Sequence, residues 1–199
     1  VLLVVGLVVT RTRRPLAPVA TIGLLAIAVP SLVWSVLHTA DSPDTAYFVT
    51  TTRLWELALG GLVACGAAVW PRIAPRLASI LVLGGLVALL ASFFVITSST
   101  PWPGTAALLP TVATALVLVG GAAASGGLVR VLGSAPMLWV GALSYSLYLW
   151  HWPLLIFWLA QSGHPHATFL DGAVILAVSG VLAYLTMRFV EEPLRYRST

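Results

Sequence analysis

The amino-acid sequence predicts an all-α fold, a polytopic bundle of transmembrane helices with six full spans and one partial N-terminal span. Hydrophobic residues make up 59% of the chain and charged residues only 8%, whereas soluble domains carry about a quarter charged residues. Apolar runs of roughly 20 residues, enough to cross a hydrocarbon core of about 30 Å, recur along the chain. The runs lack period-two alternation, which excludes the strands of a membrane barrel. A multi-pass protein of a cell membrane, with lipid as its solvent, is therefore predicted.

The apolar runs give the predicted elements in chain order. The partial span at 1–10 is apolar from its first residue with no basic region before it, so it is not a secretory signal. We expect the chain to begin inside a helix, with N-terminal helices missing. Six full spans follow, at about 17–37, 53–70, 77–96, 105–123, 138–160 and 170–190. Pro, Gly, Ser and charged residues, which end helices, fill the gaps between them, so residues 1–199 are predicted to form a single transmembrane domain.

The basic residues set the predicted orientation. If the spans alternate, nine Arg residues fall on one side: Arg11, Arg13, Arg14, Arg72, Arg76, Arg130, Arg188, Arg195 and Arg197. Short cytoplasmic loops accumulate Arg, so this side, with the C-terminus, is predicted to be cytoplasmic. The opposite loops, 38–52, 97–104 and 161–169, contain no basic residue. The Arg residues form short clusters and no continuous basic face, so nucleic acid is not a predicted partner.

Two charged residues inside a span form the first candidate site, because a charge at the bilayer centre costs about 2.5–3.5 kcal/mol on insertion scales. Arg53 and Glu56 are three residues apart and share a helix face near the outer mouth. The same face continues through Gly60, Ala64 and Ala67, which would let another helix pack closely. Two interpretations stay open: an ion pair that orients the helix, or a polar substrate site.

A polar stripe in the run 138–160 forms the second candidate site. Ser144, Tyr148 and His151 fall within about 60° of one another on a helical wheel, next to Tyr145. This stripe lies in the outer part of the membrane, and Pro153 is expected to kink the helix beyond it. The stripe is interpreted either as part of a substrate site or as interhelical hydrogen bonding beside a belt of Trp residues.

Charged residues at the end of the last span form the third group. Glu191 and Arg195 are four residues apart, but Pro193 is expected to end the regular helix, so any ion pair would form in the turn. A snorkelling helix terminus is the favoured interpretation.

The sequence predicts no metal site and no bound cofactor. His164 and His166 offer two ligands without a third nearby, which is a weak signal for a metal. No phosphate-binding loop, dinucleotide fingerprint, zinc-protease helix or nucleophile elbow occurs.

Taken together, these stretches resemble the C-terminal half of the acyltransferase 3 family, integral-membrane O-acyltransferases that include peptidoglycan and lipopolysaccharide O-acetylases. Their order, spacing and membrane depth agree with the family across nearly the whole chain. The matching residues are Tyr47-Phe48, Thr52 to Leu57, Gly60, Ser144 to Pro153 and Phe189 to Arg195.

The resemblance implies part of a domain of about ten helices that takes an acyl group, commonly acetyl, from acyl-CoA at the cytoplasmic side. A hydroxyl of a cell-envelope glycan or lipid-linked sugar outside would receive it. The family's catalytic His, with an Arg ahead of it, lies in the first transmembrane helix, so no catalytic residue is assigned here and this fragment alone is expected to be inactive. Substrate binding is assigned to Arg53, Glu56, Ser144, Tyr145, Tyr148 and His151, and a structural role at the cytoplasmic end to Glu191 and Arg195.

Two further expectations concern the binding of acyl-CoA and an alternative functional class. The phosphates of acyl-CoA would favour the face that carries Arg72, Arg76 and Arg130. A transporter of polysaccharide or lipid-linked sugar, or a non-catalytic membrane scaffold, is the alternative. Transport favours inverted repeats and broken helices, and neither is evident in the sequence.

Overall fold

The computed structural model describes residues 16–97, 99–163 and 167–196, and within these ranges every regular element is helical. The predicted partial span at 1–10, with Arg11, Arg13, Arg14, Arg197, His164 and His166, lies outside the described residues. The chain divides into two compact units, Val1–Val129 and Arg130–Thr199. Each unit is described by itself below.

The helices follow one another with short connections. The first unit contains α1 (Leu16–Asp41), α2 (Pro43–Phe48), a 3₁₀ turn (Thr50–Thr52), α3 (Leu54–Cys65), a second 3₁₀ turn (Trp70–Arg72), α4 (Pro75–Val95) and α5 (Leu108–Gly121). The short α6 (Gly127–Leu132) runs across the boundary. The second unit contains α7 (Ala135–Ser162), α8 (Phe169–Thr186), a π-helical turn (Met187–Glu191) and α9 (Glu192–Tyr196).

Three of the described helices are long and apolar enough to cross a membrane: Ala17–Asp41, Pro75–Val95 and Phe169–Leu194. They correspond to the predicted spans 17–37, 77–96 and 170–190. The helix in the predicted span 138–160, α7, has 28 residues, but its Trp, Tyr and His side chains lower its mean hydropathy. It is therefore absent from this group despite its length.

The other two predicted spans contain shorter helices than expected. In 53–70, α3 has 12 residues, and in 105–123, α5 has 14 residues; both are below the roughly 20 residues of a full span. The chain leaves α3 at Gly66, and the indole Nε1 of Trp70 folds back to donate to the carbonyl of Val63, 2.7 Å away. The length of an apolar run therefore overestimates the length of the helix when a side chain folds back and bonds to a carbonyl of the last turn.

Small residues allow α4 and α5 to pack at backbone distance. A Cβ added at Gly85 would lie 2.7 Å from the carbonyl oxygen of Ala113, and one at Gly120 would lie 2.6 Å from that of Ala78. Such close packing is typical of membrane helices, in which van der Waals contact replaces the hydrophobic effect between helices.

Substituting Gly85 is predicted to destabilise this helix pair. Gly85→Ala forces a Cβ against the α5 backbone, which cannot yield as a flexible side chain would, and we expect a loss of about 1–2 kcal/mol of stability. The measurement is thermal unfolding of the detergent-solubilised protein. The matched control is Gly84→Ala, since a Cβ at Gly84 meets nothing within 4 Å. Equal melting temperatures for the two variants would contradict the packing described.

The loops of the first unit meet in two groups at its opposite ends. At one end, the backbone N–H of Gly104 donates to the Oγ1 of Thr39 at the end of α1, over 3.0 Å. At the other end, Ser79 and Val82 of α4 line a small cavity with residues 125–129. The loops predicted to share a side, 38–52 and 97–104, therefore do share an end of this unit.

In the second unit, α8 buries one face. Ile175, Ser179 and Ala183, spaced four apart, are buried. The N-terminus of α8 is closed by a capping box, in which Thr168 and Asp171 exchange hydrogen bonds with each other's backbone N–H. This arrangement fixes the start of α8, and the buried face packs α8 along α7.

Candidate functional site

Hydrogen bonds of neighbouring residues fix the backbone position of Arg53. The fully buried Thr52 donates its hydroxyl to the carbonyls of Ala46 and Val49, at 2.8 and 2.6 Å. The hydroxyl of Ser31 on α1 donates to the Thr51 carbonyl and accepts the N–H of Trp55. Arg53, the residue before α3, is thereby fixed against α1 from both sides.

Arg53 and Glu56 do not pair with each other. Within the described ranges the ion pair closer than 4.0 Å is that of Arg188 with Glu192. The guanidinium of Arg53 instead lies over the ring of Tyr47, 4.8 Å from its centroid, a cation–π contact. The orienting ion pair considered from the sequence is therefore not formed.

Both charged residues keep buried polar atoms that bond to no protein group. These atoms are Nε of Arg53, a donor, and Oε1 of Glu56, an acceptor. Oγ of Ser35 and Nε1 of Trp55 are likewise buried without a partner. Buried polar atoms are nearly always bonded in folded proteins, so the donor of Arg53 and the acceptor of Glu56, three residues apart, form a candidate site.

A cavity of about 410 Å³ opens beside Glu56, between α3 and α5. Its polar lining comes from Glu56, Thr111 and Thr114, and the indole of Trp102 closes one side. Both Thr hydroxyls donate to carbonyls of their own helix, at 2.6 and 2.8 Å, so their oxygens remain as acceptors. The cavity is mainly apolar, with Leu59, Val63 and Leu118 in its lining, and its few polar groups are acceptors that suit a donating ligand such as an alcohol.

The face of Gly60, Ala64 and Ala67 does not form the close helix packing that was predicted for it within the described residues. Gly60 lines the cavity, and a Cβ there would meet nothing within 4 Å. Ala64 and Ala67 are exposed. The close approach involves Gly61, whose added Cβ would lie 2.9 Å from the side chain of Leu24 on α1. The face of Glu56 is thereby left to the cavity.

The polar stripe of α7 is present on the surface of the second unit. The rings of Tyr148 and His151 lie 5.6 Å apart, and Tyr145 and Tyr148 are 64% and 68% exposed. Ser144 donates to the carbonyl of its own helix at Gly141. The helix continues through Pro153 to Ser162.

The contacts of His151 favour one tautomer of its ring. Its Nδ1 lies 2.8 Å from the carbonyl oxygen of Tyr148 and 3.2 Å from that of Leu147. Carbonyl oxygens only accept, so Nδ1 carries the proton in the neutral ring and Nε2 keeps its lone pair. His151 can therefore accept a hydrogen bond from a ligand.

A contact missed from the sequence joins α7 to the π-helical turn. The fully buried Ser146 donates its hydroxyl to Oε1 of Glu191, and the indole Nε1 of Trp150 donates to Oγ1 of Thr186 at 2.9 Å. Ser146 and Trp150 are four apart, the spacing of an α-helical face, whereas Thr186 and Glu191 are five apart. The i to i+5 bonding of a π turn brings residues of that spacing to one face.

The charged end of the chain also differs from the prediction. The pair that forms is Arg188 with Glu192, at 2.7 Å, and the side chain of Arg195 lies outside the described residues. Pro193 does not end the helix, because it is the second residue of α9. The N–H of Glu192 reaches back five residues to the carbonyl of Met187, and this wider turn precedes the proline.

Arg53 and Glu56 belong to the first unit, and the polar stripe of α7, with Tyr145 beside it, belongs to the second. A joint cluster of both groups stays a prediction. Across the described residues no group of three His, Cys, Asp or Glu side chains is placed to hold a metal ion.

Comparison with known proteins finds one family and several relatives. A family model described as an acyltransferase domain matches residues 1–188. YrhL of Bacillus subtilis strain 168, named for a peptidoglycan O-acetyltransferase activity, is 29% identical over 206 residues, covering 97% of this chain and 31% of that protein. The O-acetyltransferase OatA of Staphylococcus aureus strain NCTC 8325 is 28% identical over 175 residues, covering 80% of this chain and 28% of that protein. No solved structure matches. The chain thus spans about a third of the length of these relatives.

Proposed function

The chain belongs to the acyltransferase family whose domain model covers its residues 1–188, and from this membership we propose that the whole protein is a membrane O-acyltransferase. It transfers an acyl group, commonly acetyl, from acyl-CoA to a hydroxyl of a cell-envelope glycan or lipid-linked sugar. The observation that carries the proposal is this match, together with relatives that are named O-acetyltransferases.

The Glu56 cavity supports a role in holding the acceptor. Acyl transfer needs an acceptor for the hydroxyl proton and donors near the oxygen that gains charge. Glu56 lines the cavity, its buried Oε1 has no hydrogen-bond partner, and the buried Nε of Arg53, three residues earlier, is an unpartnered donor. We assign both residues to substrate binding, with Ser144, Tyr145, Tyr148 and His151 as further contacts of the glycan or acyl group.

The proposed membrane arrangement keeps six helices in the bilayer. At 1.5 Å per residue, α3 and α5 extend only about 18 and 21 Å, so we propose that their flanking turns complete the crossing. The C-terminus and the Arg-rich loops face the cytoplasm. Arg72, Arg76 and Arg130 there would attract the phosphates of acyl-CoA.

The proposal predicts new ester-linked acetate on a cell-envelope glycan. The complete gene product is expressed in a bacterium that lacks O-acetylated peptidoglycan, and acetate released from purified peptidoglycan and other envelope glycans by mild base is measured. We expect acetate well above that of the empty vector, because the transferred ester is base-labile. Membrane-inserted protein with no acetate or longer acyl group on any envelope glycan would contradict the proposal.

A further inference from the structure

A second cleft lies at the end of the first unit where residues 43–48 meet residues 99–102; we call it the loop cleft. Its volume is about 600 Å³. The side chains that matter in it are Asp44, Tyr47, Phe48, Ser99, Thr100 and Trp102. Nothing in the family match or in the names of the relatives assigns a role to this cleft.

The aromatic rings of the loop cleft are accessible. Phe48 is 83% exposed and Tyr47 is 50% exposed, and the two rings meet edge to face with centroids 5.0 Å apart. The guanidinium of Arg53 over the Tyr47 ring holds this pair in place. Exposed aromatic faces beside polar groups suit a ligand that stacks on them.

The charged side chain that lines the loop cleft is a carboxylate. Asp44 contributes it, Ser99 and Thr100 contribute hydroxyls, and no Arg lines the cleft, although the guanidinium of Arg53 contacts the Tyr47 ring. The carboxylate would repel the phosphates of acyl-CoA or of a phospholipid headgroup. A pyranose is a neutral ring with hydroxyls on its rim and C–H groups on its faces. Its hydroxyls can donate hydrogen bonds to the carboxylate, and its C–H faces can stack on the aromatic rings.

Contacts of Gly104 and Pro103 fix one wall of the loop cleft. Gly104, with φ of +35°, donates its N–H to the nearly buried Thr39, and the neighbouring Pro103 is fully buried. These contacts fix the loop that carries Trp102. A preformed site of this kind binds with little loss of conformational entropy.

Trp102 connects the loop cleft to the chemistry proposed above, because it lines both this cleft and the Glu56 cavity. We propose that the loop cleft is a carbohydrate subsite that binds a neutral pyranose ring of the acceptor glycan. The adjoining sugar then lies past Trp102, with a hydroxyl directed to Glu56. The role of this subsite in acyl transfer rests on the proposed function, whereas the binding of a sugar to the loop cleft does not depend on it.

The test measures sugar binding and acyl transfer separately. Calorimetric titration of the detergent-solubilised complete gene product with chitotetraose, a neutral N-acetylglucosamine oligomer, gives a dissociation constant. We expect Phe48→Ala and Asp44→Asn each to raise it about fivefold or more, as truncation of a central contact does. The matched controls, Phe94→Ala and Asp41→Asn, change exposed residues that do not line the loop cleft, and we expect no change for them.

The outcomes separate the two proposals. If chitotetraose does not bind, if both cleft variants bind it as the wild type does, or if coenzyme A displaces it, the carbohydrate subsite is wrong even when acetyl transfer is observed. If the cleft variants lose chitotetraose binding while no acetyl transfer is found in any form, the subsite stands and the enzymatic proposal fails. If both are right, the cleft variants raise KM for the glycan and leave kcat close to that of the wild type.

Discussion

Glu56→Gln is expected to lower kcat/KM for the acceptor glycan by about 10- to 100-fold, because hydrogen bonds to charged groups contribute about 1.5–3 kcal/mol. Gln has nearly the same shape, so the cavity between α3 and α5 stays intact, but its neutral amide accepts a weaker hydrogen bond from the glycan hydroxyl than a carboxylate does. The measurement is acetyl transfer by the complete gene product in membranes, at matched protein levels. The thermal stability of the variant should match that of the wild type, since Oε1 of Glu56 bonds to no protein group.

The matched control for Glu56 is another carboxylate-to-amide change, Glu192→Gln. Glu192 forms an exposed ion pair with Arg188, and such pairs contribute little. Equal activity of Glu56→Gln and wild type would remove Glu56 from substrate binding. A large loss in Glu192→Gln as well would show that the effect is general to acidic residues.

Arg53 offers a graded comparison at the same site. Arg53→Lys keeps the positive charge but loses Nε and the flat guanidinium that lies over Tyr47. We therefore expect it to weaken acceptor binding in both the Glu56 cavity and the loop cleft. Glu56→Gln, in contrast, leaves the Tyr47 ring unchanged.

The sequence predicted the strongly apolar helices well and the shorter ones less well. The spans 17–37 and 77–96 lie within or nearly within α1 and α4, because long uninterrupted apolar runs leave few alternatives to a membrane helix. The end of α3 depends on the indole of Trp70 reaching Val63, which is a tertiary contact. Hydropathy alone does not contain that information.

The candidate residues could be recognised from the sequence because charges inside a membrane cost free energy. Their contact partners could not be recognised in this way. Arg53 and Glu56 stood out because charges inside an apolar run are expensive. Their separation of three suggested an ion pair, yet the guanidinium of Arg53 contacts the ring of Tyr47 on α2. A helical wheel also favoured Ser144 over Ser146, although Ser146 is the buried one, since its partner Glu191 reaches it only through a π turn that a period of 3.6 does not describe.

Removing the bond between Ser146 and Glu191 is the second large effect we expect. Glu191→Ala should lower the free energy of unfolding by about 2–3 kcal/mol, because a hydrogen bond to a charged group is lost beside a fully buried hydroxyl. The same change removes the hydrogen bond that joins the π turn to α7, and we expect the backbone then to return to α-helical spacing. That shift would turn Thr186 away from Trp150, to which it is bonded.

A double-mutant cycle isolates this bond from the general effect of losing a carboxylate. Ser146→Ala, Glu191→Ala and the double variant are unfolded in detergent, and the coupling free energy is taken from the three losses. We expect about 1–2 kcal/mol, near the upper end of values for membrane helices, because one partner is charged. Arg188→Gln combined with Glu191→Ala serves as the control cycle, since Arg188 bonds to Glu192 and not to Glu191. Additive losses for Ser146 and Glu191 would mean that the π turn is held by other contacts, and the link between α7 and the end of α8 would then have no role in stability.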